Sequence, residues 1–326
     1  MSAVLAHLVF SCLSSCTSLA PVPDELLLAD GTREPVEDAR KDSKGRWMGT
    51  RDGHRTELRG GEIVAIVDAK GRETEILPAL SDDAEPPETK ALLASLQDPK
   101  NELWREAALA LGRRPLRSVH TQLVALTAAK RKDVRVRAVS ALCELHTKES
   151  VLAATTALLA DKDASARRES ASALASVCEI FRRADSAALL ERGLADSDGD
   201  VRCIFACCAP LDSAPALAVL KNDGLKNKDH HFRELAAVEL GERGDAAGES
   251  LLVALLARTK IPGFDGGDEL MTKVLVQEQT HICAVLGKLG TETGKAALKK
   301  ALESPHEAVR KAAEAALNPP KEKVEF

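Results

Sequence analysis

One pattern governs what this chain can fold into. In "KDVRVRAVSALCEL", Lys132 to Leu145, the residues Val134, Ala138, Ala141, Leu142 and Leu145 fall on a single face of an α-helix. The stripe recurs at Leu103, Ala107, Ala110, Leu111; at Ala166, Ser170, Ala173, Leu174, Val177; and at Val201, Phe205, Cys208, Ala209. It returns at Phe232, Ala236, Leu240, then Ile282, Val285, Leu286, Leu289, and finally Val309, Ala313, Ala316, Leu317. A marker position near the start of each copy holds Trp104, Arg135, Arg167, Arg202, Arg233, Gln279 or Arg310, at intervals of 31, 32, 35, 31, 46 and 31 residues. A period of this length marks stacked helical units rather than one globular core.

Polar starts such as "KRKDVR", "DKDASAR", "DSDGDVR", "NKDHHFR" and "SPHEAVR" precede most markers. Their acids and amides suit helix N-caps and the positive end of the helix dipole. A second helical run follows each copy, at 119–129, 150–160, 186–195, 214–221, 248–257 and 294–302. Gly112, Gly241 and Gly290 fall between paired helices, where C-terminal stops are expected. The unit is therefore a helix–turn–helix of about thirty residues. It cannot bury its apolar stripe alone and stacks on its neighbours. The fold class expected is mainly all-α: an α-solenoid of helix pairs over 91–318, about seven units, with a tail at 319–326.

"DVRVRAVSAL", "HFRELAAVELGERG" and "AVRKAAEAAL" resemble HEAT-type repeats, particularly the short bacterial HEAT-like kind shared by the phycobilin-lyase class. The resemblance implies an extended protein-binding surface. HEAT-like deoxyhypusine hydroxylases hold iron with several His-Glu pairs. This chain offers one such pair, His306-Glu307, in a capping turn, so that activity is not carried over.

Composition agrees with close helix packing. Apolar residues make up 44% of the 326, yet aromatics are only 2% and Tyr is absent, so Ala, Leu and Val must fill the core. The net charge of −5 comes from 45 basic and 50 acidic side chains. They are interspersed, with no basic block of the kind that grips nucleic acid, and no nucleic-acid partner is expected.

The segment 24–78 differs. Asp30-Gly31 and Asp52-Gly53 are hairpin-turn signals between short runs of β-type composition. A small β-rich module is expected, with strands near 25–29, 45–50, 54–59, 62–68 and 72–77. Its core would be Trp47, Leu58, Ile63, Val64, Ile66 and Val67, and "EDARKDSKG" a loop. The polar stretch 79–90 reads as a linker.

Residues 1–20 read as a signal peptide. They carry no Lys, Arg or acid, and the apolar run Ala3 to Phe10 is too short to span a bilayer. "LSSC", Leu13 to Cys16, resembles a bacterial lipobox, which would place a lipid on Cys16 and attach the chain to a membrane. Cleavage after Ala20 is the alternative, and a non-exported N-terminus stays open. The protein is accordingly expected outside the cytoplasm, periplasmic or membrane-anchored, and cytoplasmic if the leader does not function.

Candidate sites give way to structural readings. "DSDGDVR" begins like a calcium loop, but its sixth and twelfth places hold Val201 and Cys207 rather than Gly and Glu. Cys203, Cys207 and Cys208 share one helix without the four ligands of a metal site. The long interval holds an insertion, Arg258 to Lys273, expected as a flexible loop. No nucleophile elbow, phosphate loop or zinc-helix motif is present. No catalytic, cofactor-binding or metal-binding residue is assigned. The expected function is a non-catalytic scaffold for a protein partner. The alternative is a ligand-binding or metal-binding protein, or an enzyme, with a site near the β module or the 258–273 loop.

Overall fold

A computed structural model describes residues 25–28, 33–41, 47–51, 54–57, 63–67, 73–75, 80–113, 115–183, 186–264 and 267–318. The described residues divide into two compact units, 25–186 and 187–318.

The first unit begins with strands β1 (Glu25–Leu28), β2 (Arg33–Pro35), β3 (Glu37–Lys41), β4 (Trp47–Arg51), β5 (His54–Glu57), β6 (Ile63–Val67) and β7 (Glu73–Glu75). They form two antiparallel sheets, ordered β2-β1-β6-β7 and β3-β4-β5. Leu26 pairs with Ile66 and is fully buried, as is Val36 between β2 and β3. The stretch expected as a loop, "EDARKDSKG", begins with β3, because Arg40 and Lys41 pair with Met48 and Trp47 across a hairpin. The six side chains expected as core there (Trp47, Leu58, Ile63, Val64, Ile66 and Val67) lie outside the described side chains, as does Cys16.

Helices follow in pairs: α1 (Thr89–Gln97), α2 (Trp104–Gly112), α3 (Arg117–Leu126), α4 (Lys132–Glu144), α5 (Lys148–Ala160), α6 (Ala164–Ala175) and α7 (Cys178–Arg183). The first helices stack α2 on α4 on α6, and the second helices α3 on α5. This is the nearest-neighbour stacking of an α-solenoid. Val134, Ala138, Ala141, Leu142 and Leu145 are all buried. Leu103, expected on the same face of its own helix, is 64% exposed, because it precedes α2 and its side chain escapes the stripe. Thr147 and Ser150 close a capping box at the start of α5.

The second unit contains α8 (Ala187–Leu194), α9 (Gly199–Cys207), α10 (Ala214–Val219) running into a π-helical turn (Leu220–Gly224), and α11 (His230–Glu242). Next come α12 (Glu249–Ala257), α13 (Asp268–Leu289), α14 (Glu292–Ala301) and α15 (Glu307–Leu317). First helices stack in the order α9, α11, α13, α15, and second helices pair as α8 with α10 and α12 with α14. Leu252, Ile282, Leu286, Leu298, Val309 and Ala313 form one continuous core. Each buried Leu or Ile contributes roughly 1.5–3 kcal/mol.

Two sequence expectations need correction. Among the three glycines read as helix stops, only Gly290 has the left-handed backbone, with φ +63°. Gly112 and Gly241 end their helices from within and permit close packing: a Cβ at Gly112 would lie 2.3 Å from the Glu144 carbonyl oxygen, and one at Gly241 2.3 Å from Val285 Cγ1. The insertion is likewise more ordered than a flexible loop. Its last six residues are the first turns of the 22-residue α13, and Ile261 is buried against Val274 and Leu275, with Phe264 and Met271 beside them.

Candidate functional site

The recurring arginines come first, since a charge repeated from copy to copy invites a functional role. Each is spent internally. Arg135, Arg167, Arg202, Arg233 and Arg310 all donate Nη1 to the carbonyl six residues earlier: Ala129 (3.1 Å), Asp161 (3.0 Å), Asp196 (2.6 Å), Asn227 (2.7 Å) and Ser304 (2.7 Å). The guanidinium thus satisfies carbonyls of the entry turn that would otherwise be orphaned. Arg135 and Arg202 also pair with the carboxylates of Asp161 and Asp223. Asp161 therefore bridges two neighbouring repeats of the first unit, its carboxylate to Arg135 and its carbonyl to Arg167.

The two copies without Arg explain themselves. Where Trp104 occupies the marker, the equivalent carbonyl is that of Asp98, and Arg137 of the following unit takes it at 2.6 Å with its guanidinium 5.5 Å from the Trp104 ring. Where Gln279 occupies it, the residue six back lies inside the same helix, and Gln279 donates instead to the Leu256 and Arg258 carbonyls, each at 2.9 Å.

The calcium-like stretch is also structural: Asp198 caps α9 by accepting from the Asp200 and Val201 amides at 2.9 and 3.3 Å. Burial pushes Cys203 to about 12 and Cys283 to about 11, so neither is a thiolate at neutral pH. His306 opens α15 with no capping bond from its ring, and Glu307 pairs with Lys311.

The second helices offer solvent-facing surface. On α3, Val119 and Leu123 are buried while Arg117, Thr121, Gln122 and Val124 face outward. Residues 81–85, the acid-rich linker, already lie there. Ser81 bridges Leu116 in parallel fashion, donating to Pro115 and accepting from the Arg117 amide, each at 2.8 Å. Arg117 Nε donates to Asp82 Oδ1 at 2.8 Å, and Gln122 Nε2 to Glu85 Oε1 at 2.9 Å.

A polar node lies at the start of the insertion. Arg258 donates to Glu234 Oε2 at 3.1 Å and to both oxygens of Glu278. Burial raises the Glu278 carboxyl, and the Arg258 charge opposes that rise. His231 is close enough to sense Glu234 and Arg258; burial, and then the His230 charge, hold its imidazole below its ordinary value. Sequence reading missed this node because its members sit in three separate helical segments. The Asp229-His230-His231 run was the only local signal, and it also fits a helix start.

No known family profile and no curated protein matches the sequence. Solved structures with related helical arrangements include E. coli YibA, with 19% identity over 72% of this chain and 83% of that one, TM-score 0.43. Human deoxyhypusine hydroxylase aligns with 20% identity over 72% and 84%, TM-score 0.29. A designed armadillo repeat protein aligns with 20% identity over 70% and 97%, TM-score 0.31.

Proposed function

We propose that the chain is a non-catalytic scaffold that binds an extended, acid-containing segment of a protein partner on its second helices. The observation that carries this reading is the chain's own linker: residues 81–85 lie on α3 through one main-chain bridge and two charged or polar side-chain contacts. The main-chain bonds reach residues 115–117 at the entrance of α3, in the manner of strand addition to an exposed main-chain segment, and the side-chain contacts lie on the helix itself. The marker arginines, by contrast, are committed to the entry turns and support no catalytic role.

We place the protein with the HEAT-like repeat scaffolds, on the strength of the resemblance in "DVRVRAVSAL" and "AVRKAAEAAL". We propose that it is exported and anchored through a lipid on Cys16. No helix among the described residues is long and apolar enough to cross a membrane. Mass spectrometry of the mature N-terminus tests the export: a diacylated Cys16 supports it, and an intact Met1 refutes it.

Charge reversals test the binding surface. Arg117→Glu and Lys148→Glu, on α3 and α5, are expected to abolish capture of the partner in pull-downs. Glu106→Arg and Lys311→Glu, on the first helices, are expected to leave it intact. Capture that survives both second-helix changes refutes the reading.

A further inference from the structure

Asp229, His230 and His231 each present one ligand atom, and these atoms all lie within 4.8 Å of one another. The arrangement follows from the start of α11. Asp229 is its N-cap and accepts from the His231 amide at 2.9 Å through Oδ1, which leaves Oδ2 for an ion. The two rings stack with centroids 3.9 Å apart and planes inclined by 35°.

A second observation points to a ligand. His230 Nε2 and His231 Nδ1 are both buried from solvent and have no hydrogen-bond partner among the described residues. A buried imidazole nitrogen without a partner is unusual, and in the tautomer that leaves it without a proton it can donate its lone pair to a metal ion. The residues themselves are only partly buried, so rotation of the rings opens these nitrogens to an ion. The nearby Arg258 does not forbid a cation, since Glu234 and Glu278 both pair with it.

We propose that Asp229, His230 and His231 form a three-ligand site for a divalent transition-metal ion of the zinc class. Two imidazoles and one carboxylate are a donor set suited to such ions. Three protein ligands leave a fourth position open, to be filled by water or by a carboxylate or imidazole from a bound partner. The reading stands independently of the scaffold proposal, since it requires no partner.

The test is cobalt(II) titration of the full chain, stripped of metal, followed by zinc competition. One equivalent is expected, with visible d–d bands and no thiolate charge-transfer band. His231→Asn is expected to weaken binding by at least about tenfold. Asp229→Asn keeps the N-cap and is expected to weaken it as well, which separates ligand loss from unfolding. His281→Asn, in the same unit, is expected to bind as the unaltered chain does. Far-UV circular dichroism shows that each variant is folded. An unaltered affinity in both His231→Asn and Asp229→Asn, a thiolate band, or no saturable binding overturns the proposal.

Discussion

Arg135→Ala should be among the most costly single changes in the first unit. The side chain makes four hydrogen bonds: Nε and Nη2 to Asp161 at 2.6 and 3.1 Å, and Nη1 to the Ala129 and Lys130 carbonyls, both at 3.1 Å. The two charged side chains are 19% and 12% exposed, so solvent screens them only partly. Breaking a fully buried pair costs about 3–5 kcal/mol, while an exposed pair is worth about 0–1 kcal/mol. At this exposure the loss should be about 2–3 kcal/mol. Urea unfolding followed through Trp104, on the neighbouring helix α2, measures it. Because Asp161 loses its partner in Arg135→Ala, adding Asp161→Asn should cost little more, and the double-mutant cycle should return a coupling of about 1–2 kcal/mol. A loss below about 0.5 kcal/mol, or strict additivity, would refute the bridging role.

Two further outcomes follow from the same geometry. Ala is normally preferred to Gly in a helix by about 1 kcal/mol, yet Gly112→Ala should destabilise by about 1–3 kcal/mol, because its Cβ meets the Glu144 carbonyl; a thermal midpoint equal to or above that of the unaltered chain would contradict this. Burial raises the Asp161 and Asp245 carboxyls, but the Arg135 and Lys221 bonds and neighbouring amides outweigh it and hold both below the usual range. Their stabilisation is present above the unfolded value near pH ~4 and is lost as pH falls through the folded values. Acid titration of unfolding free energy should show this loss, and Arg135→Ala should remove Asp161's share of it.

The helical stripe was legible because a periodicity of 3.6 is written into each copy separately. Val134 to Leu145 and Val309 to Ala313 are buried as that period requires. The capping acids were legible for the same local reason, as at Asp198. The reach of a long side chain was not: sequence shows that Arg recurs but not that each arginine turns back to the carbonyl six residues earlier. Gly112 illustrates a second limit. Its position after an apolar stripe reads as a stop, while its actual role depends on how closely α2 approaches α4, a tertiary quantity. The node of Glu234, Arg258 and Glu278 was hidden for the same reason, since its members come together only when α11, α12 and α13 pack.

The substitution of Trp104 for arginine has a consequence for synthesis. In five copies the entry turn is finished by a residue only six positions later, so that turn closes almost as soon as it leaves the ribosome. In the first copy the Asp98 carbonyl accepts locally from the Asn101 amide at 3.2 Å, but its arginine bond comes from Arg137, which emerges only after all of α3 and the start of α4. The amino-terminal end of the repeat array is thus made first but completed late. Its guanidinium bond is borrowed from the repeat that follows, and a nascent chain halted before residue 137 would carry a first turn held by the Asn101 amide alone.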